Sequence, residues 1–152
     1  MTAFDLTGRW AIVTGANTGI GQAIAVGLAR AGADVVGVGR SDMDETAAQV
    51  AATGRLFLPL KADLSEAGEA KSVVERAISA GATPDILVNN AGIIRRADAL
   101  DFTEEDWDAV LDTNLKSVFF LCQAFAKAAI AAGRPAKIIN IASLLSFQGG
   151  IR

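Results

Sequence analysis

The sequence contains no histidine, no tyrosine and a single cysteine among its 152 residues. Without His, Ser-His-Asp and Cys-His catalysis lose their usual general base, and a His-ligated metal is excluded. Cys122 by itself forms neither an internal disulfide nor a Cys-rich zinc site, so no metal is expected. No apolar run approaches the roughly 20 residues that cross a bilayer. Met1 to Trp10 carries no basic stretch ahead of the first apolar run, which leaves no room for a signal peptide. A cytoplasmic protein without a membrane partner is the expectation. Positive charge is in short supply too: 14 Lys and Arg stand against 17 Asp and Glu, a net charge of −3. A mildly acidic chain is a poor match for nucleic acid, whose phosphates demand a basic face. What is present is 51% apolar and 20% charged, a globular balance. With no low-complexity tract, linker or repeat, residues 1–152 read as one domain or part of one.

Segments of two kinds alternate along the chain. Short β-branched runs predict buried strands at Trp10–Thr14, Val35–Val38, Leu56–Leu60, Ile86–Asn89 and Lys137–Ile141. Between them lie Ala-rich stretches with helical spacing. Gly19 to Ala31 ends at Gly32 and Met43 to Thr53 ends at Gly54, each glycine standing where a left-handed stop belongs. Ser65 is a candidate cap for a helix running to Ala80 and stopped by Gly81. The longest helix is expected to start after Thr103, with Asp106 three residues on in a capping-box arrangement, and to stop near Gly133 and Pro135. Repeated strand–helix–strand units imply right-handed crossovers and a parallel sheet. Pro59 has no N–H to give to a ladder, which places the third strand at an edge, as a doubly wound order of 3-2-1-4-5 requires.

The first strand runs into Thr14-Gly15-Ala16-Asn17-Thr18-Gly19-Ile20-Gly21 and directly into a helix. Gly15 permits a tight turn, Gly19 lets a pyrophosphate approach the helix N-terminus, and Gly21 lets the helix pack on the strand. The plain alternative is a glycine-rich turn with no ligand; its place after the first strand of a βαβ unit favours a dinucleotide. No Gly-Lys-Ser/Thr follows, so an NTPase phosphate loop is excluded.

The spacing TGxxxGxG resembles that of the short-chain dehydrogenase/reductase family, and further motifs agree. Asn89-Asn90-Ala91-Gly92 matches the family's NNAG, and Asp63 stands where the family places an Asp near the adenine. Asn114 and Ser143 match its catalytic Asn and Ser. Within the family, Ile93 to Leu100, Lys116 to Phe120 and Lys137 to Gly150 are similar to the group of 2-deoxy-D-gluconate 3-dehydrogenases, also described as 2-dehydro-3-deoxy-D-gluconate 5-dehydrogenases. The resemblance implies a Rossmann-type fold, and a secondary alcohol and ketone interconverted with NAD or NADP, on a sugar acid or another polyol or ketone. It also implies a full-length homotetramer. The cofactor residues so implied are Gly15, Asn17, Thr18, Gly19, Ile20, Gly21, Arg40, Asp63, Leu64, Asn90, Ala91, Gly92 and Thr113.

Several residues keep two readings. Asn114 falls inside an apolar stripe of Trp107, Val110, Leu111, Leu115, Val118, Cys122, Phe125 and Ala129, so a buried amide satisfied by backbone is expected there. The resemblance instead makes it a shaper of the helix that holds a water of the proton relay. Ser143 lies at the end of the fifth strand; the resemblance has its hydroxyl bond the substrate, while Ser146 is an equally ordinary loop serine. At the end of the second strand, where an acidic residue binds a ribose 2′-hydroxyl, the sequence has Gly39, then Arg40 and Ser41. Arg40 suits a 2′-phosphate, whereas the subgroup leans toward NAD, and a solvated Arg40 is the third option. Arg95 and Arg96 are candidates to hold a substrate carboxylate, or are solvated loop residues.

The family's Tyr-x-x-x-Lys, its acid/base and the lysine that lowers the tyrosine pKa, would fall just past Arg152. The resemblance therefore covers the N-terminal part of such an enzyme. Three outcomes are open: an oxidoreductase seen in part, a nucleotide-binding remnant without catalysis, and, more weakly, a methyltransferase using S-adenosylmethionine. The 152-residue chain is expected to show negligible turnover and to leave its fifth strand as an exposed edge.

Overall fold

A computed structural model of the protein describes residues 4–148; the end of the run reaching Gly150 lies outside them. Five parallel strands form one sheet: β1 (Trp10–Thr14), β2 (Asp34–Gly39), β3 (Phe57–Lys61), β4 (Pro84–Asn89) and β5 (Lys137–Asn140). Their order is β3-β2-β1-β4-β5, as the doubly wound reading requires. Pro59 stands opposite Gly37 on the outer strand, where its missing N–H costs no ladder bond.

Helices cover both faces, which is why the strands read as continuous apolar runs. The period-2 alternation survives as a division of labour. Ile12, Val36, Val38 and Leu87 turn to one side, against Val73, Val74, Leu121 and Phe125. Ala11, Val13, Val35, Ile86 and Val88 turn to the other, against Ala25, Val26, Ala29 and Val50. The first layer consists of α3 (Glu69–Ser79) and α5 (Ser117–Ala131); the second consists of α1 (Gly19–Arg30) and α2 (Asp44–Ala51). β5 pairs with β4 alone among the described residues, and Ile138, Ile139 and Ile141 are exposed, as expected of an edge.

Two expectations are corrected. Ser65 does not cap the third helix, which starts at Glu69 after a left-handed Gly68. Its N–H and hydroxyl both donate instead to Asp63 Oδ1, at 3.0 and 2.7 Å, because a Ser two residues after an Asp closes a local turn more readily than it waits for a distant helix. The long helix does begin after Thr103, whose Oγ1 accepts from Asp106 N at 3.1 Å. It is, however, two pieces: α4 (Glu104–Leu111) and α5 are joined by a π-helical turn over Asp112–Lys116. A π turn adds a residue to the helical repeat and rotates the face presented beyond it. The buried positions of α5 are therefore Ser117, Leu121, Phe125 and Ala129, while Trp107, Leu111, Leu115 and Asn114 are exposed.

No helix of the described residues is long and apolar enough to cross a membrane.

Candidate functional site

The crevice opens at the carboxyl ends of β1, β2 and β4, where the strand order reverses around β1. Thr14, the last residue of β1 and 1% exposed, ties its floor together. Its Oγ1 accepts from the N–H groups of Asn90 and Ala91, each at 2.9 Å, and its carbonyl accepts from Asn90 Nδ2 at 3.0 Å. The loop after β1 and the loop after β4 are thereby locked side by side. Gly21 sits where any Cβ would overlap the carbonyl oxygen of Gly15, so only glycine lets α1 start this close to the loop. Gly19 has φ +58° and nothing within 4 Å of where its Cβ would be, which leaves the approach to the α1 N-terminus open.

That N-terminus is electrostatically prepared for an anion. Thr18 makes no side-chain cap, and the first turn of α1 carries no acidic residue. Unpaired first-turn N–H groups and the helix dipole both favour negative charge there. A cavity of about 470 Å³ opens over it. Every residue of the cofactor set named from the sequence lines this cavity: Gly15, Asn17, Thr18, Gly19, Ile20, Gly21, Arg40, Asp63, Leu64, Asn90, Ala91, Gly92 and Thr113.

On the β2–β3 side, Arg40 Nη1 lies 3.7 Å from Asp63 Oδ2. The two bonds from Ser65, and after them the Arg40 guanidinium, hold the Asp63 carboxyl below its ordinary value. Ser41, not singled out from the sequence as a site residue, also lines the cavity and accepts a hydrogen bond from Asn17 Nδ2 at 2.9 Å. Its signal was its place directly after Arg40 at the strand end.

A second, larger cavity of about 1110 Å³ adjoins the first, with Ile93 lining both. Asn114 and Ser143, 29 positions apart in the chain, are brought together on its wall with Arg95. Asn114 sits on the π turn and clasps the backbone of Ile93, accepting from its N–H and donating to its carbonyl, both at 2.8 Å. The amide is satisfied by backbone as expected, but at the surface of the cavity rather than in the core. Ser143 precedes a short 3₁₀ turn and its Oγ accepts from Leu145 N at 3.2 Å. Arg95 is anchored by Asp106 Oδ1, 3.1 Å from its Nε. Arg96 is exposed and is not among the residues lining this cavity, so the pair suggested by the sequence is divided. Trp107, Leu111, Phe102 and Leu145 supply its apolar wall, whereas the helical stripe in the sequence places Trp107 and Leu111 in the core. Cys122 is half-buried and accepts from Asn89 Nδ2 at 3.3 Å, a packing position away from both cavities.

The family model described as short chain dehydrogenase matches residues 9–152. The 2-dehydro-3-deoxy-D-gluconate 5-dehydrogenase of Escherichia coli K12 is 55% identical over the whole chain, which covers 60% of that protein. The protein of the same name from Bacillus subtilis is 49% identical, with 98% of this chain and 58% of the relative covered. Among solved structures, a chain described as a 2-deoxy-D-gluconate 3-dehydrogenase of Agrobacterium tumefaciens, with bound NADP, superposes with a TM-score of 0.90 at 56% identity, covering 100% of this chain and 60% of that one. The chain thus spans about three-fifths of the length of the curated relatives it matches.

Proposed function

Because the chain belongs to the short-chain dehydrogenase family, we propose that it carries the cofactor-binding part of an NAD(P)-dependent oxidoreductase acting on a secondary alcohol or ketone of a deoxygluconate-type sugar acid. The observation that carries this is the junction at Ile93, which joins a cavity over an uncapped, anion-ready helix N-terminus to a second cavity holding Asn114 and Ser143. The A. tumefaciens neighbour, at 56% identity, was solved with NADP.

The residues fit a dinucleotide. The first turn of α1 would hold the pyrophosphate through its N–H groups, Asp63 and Leu64 would serve the adenine end, and Arg40 with Ser41 would serve the ribose. The nicotinamide, when bound, supplies or accepts the hydride. Asn114 holds the Ile93 backbone fixed where the cavities meet. Ser143 would donate a hydrogen bond to the substrate oxygen; because its Oγ already accepts from Leu145 N–H, its own O–H is left to point elsewhere. Arg95, held by Asp106, presents its remaining N–H groups to a substrate carboxylate.

A second reading concerns the 152-residue polypeptide itself: cofactor binding without turnover. Among the described residues, the titratable side chains lining the two cavities are those of Arg40, Asp63, Arg95 and Glu104, and the sequence holds no His or Tyr to act as a general acid or base.

Fluorescence titration of the purified protein with NADPH and NADH tests the first step, and binding of at least one is expected. Arg40→Ala should weaken NADPH roughly tenfold more than NADH, the scale of one lost charge-assisted contact. A chimera joining residues 1–152 to the remaining two-fifths of the E. coli relative should oxidise the sugar acid, and the 152-residue chain should not. Absence of binding to either nucleotide would sink the cofactor reading, and a robust rate from the unextended chain would sink the second.

A further inference from the structure

Three residues meet where the glycine loop crosses the end of β2. Asn17 lines the smaller cavity and donates from Nδ2 to Ser41 Oγ at 2.9 Å. Gly39, the last residue of β2, is buried directly against it. A Cβ on Gly39 would stand 2.8 Å from Asn17 Oδ1, close enough to force a shift, and tightly at 3.2 Å from its Cγ and 3.3 Å from its Cβ. The obstacle is a side chain with two rotatable bonds, so a larger residue at 39 is accommodated by swinging Asn17 aside. That movement displaces the Nδ2 donor from its position against Ser41. The volume of the side chain at 39 and the position of the Ser41 hydroxyl are therefore linked through Asn17.

Resting on the cofactor reading above, we propose that Asn17 is a positioning residue: packed on Gly39, it holds the Ser41 hydroxyl beside Arg40, and the resulting donor pair selects a nucleotide whose ribose bears a phosphate over one with a free hydroxyl. The polarity of the bond supports this direction. Ser41 Oγ spends a lone pair on the Asn17 N–H, which leaves its own proton to donate. A phosphate monoester offers three acceptor oxygens and calls for donors, here the Ser41 hydroxyl and the Arg40 guanidinium. A ribose hydroxyl is recognised instead by a carboxylate at the end of the second strand. In this chain that position has no side chain, and the space beside it is filled by Asn17. An acid at 39 would act twice, adding the acceptor that suits NAD and evicting the residue that holds Ser41.

Nucleotide affinity measured on the full 152-residue protein tests the selectivity, and a thermal double-mutant cycle tests the linkage without any ligand. Asn17→Ala should lower the NADPH-to-NADH affinity ratio about tenfold, and Gly39→Asp should invert the preference. In the cycle, Gly39→Ala should depress Tm in the wild-type background and depress it less in the Asn17→Ala background, where only the Cβ of residue 17 remains in contact. Equal weakening of both nucleotides by Asn17→Ala would overturn the selectivity. A Tm loss from Gly39→Ala that is the same with and without Asn17 would overturn the linkage. If the wild type binds neither nucleotide, the cofactor reading fails and carries the selectivity with it, while the cycle still decides whether Asn17 packs on residue 39.

Discussion

Asn114 grips Ile93 with both ends of its amide: Oδ1 accepts from the Ile93 N–H and Nδ2 donates to the Ile93 carbonyl, each at 2.8 Å. The pairing imitates one rung of a β-ladder, with a side chain on a π turn in place of a second strand. It fixes Ile93, which lines both cavities. Asn114→Asp keeps an acceptor for the N–H but sets a carboxylate against the carbonyl, and Asn114→Ala removes both bonds. Each variant should lose about 1–2 kcal/mol in urea denaturation and exchange the Ile93 amide faster. Unchanged exchange at Ile93 would mean that the grip is not maintained in solution.

At the opposite end of the sheet, Asp85 is 5% exposed and accepts from Trp10 N at 3.2 Å through Oδ2. Its Oδ1 lies 3.5 Å from Arg9 and 3.4 Å from Arg134, near enough for attraction but without a hydrogen bond. The two guanidinium groups are partly solvated, so their individual contributions are small. Asp85→Ala strands the Trp10 N–H and should cost about 1–3 kcal/mol. Arg9→Ala and Arg134→Ala should each cost under about 1 kcal/mol. Denaturant midpoints compare the three directly; an arginine variant as damaging as Asp85→Ala would assign the stability to the ion pairs instead.

Asp63 gives a pH dependence with a defined sign. Its carboxyl is held below 3.8 in the folded chain, chiefly by the Ser65 hydroxyl and N–H. A carboxyl more acidic when folded than when unfolded contributes stability that is present above the unfolded value and lost as pH falls through the folded one. Ser65→Ala removes the largest of these causes. The stability difference between wild type and Ser65→Ala should therefore be present at neutral pH and shrink as the solution is acidified below about pH 4. A difference that stayed constant, or grew, on acidification would contradict this assignment.

The strands and their order were legible because their signals are local or nearly so. Pro59 announced an edge through its missing N–H, and the glycines after each helix announced stops through a backbone conformation other residues avoid. The helix boundaries that failed did so through competition. Ser65 had two possible partners, and its near neighbour Asp63 won over the helix start at Glu69. The stripe through Trp107, Leu111 and Leu115 assumed an unbroken α-helical period, and the π turn at Asp112–Lys116 changed which face meets the sheet. The contact of Ser41 is not legible in the sequence because it is made with Asn17, 24 residues away, and no spacing rule joins them.

By itself, then, the sequence determined the alternation of elements, the parallel doubly wound sheet and the composition of the glycine loop, since propensity, turn chemistry and hydrophobic period act over a few residues at a time. Only the tertiary structure decided which side chains share a wall. It set Asn114 against Ile93, divided Arg95 from Arg96, and packed Asn17 on Gly39. Those pairings arise from the packing of two helical layers on one sheet, which brings distant positions within bonding distance and has no counterpart in the linear order.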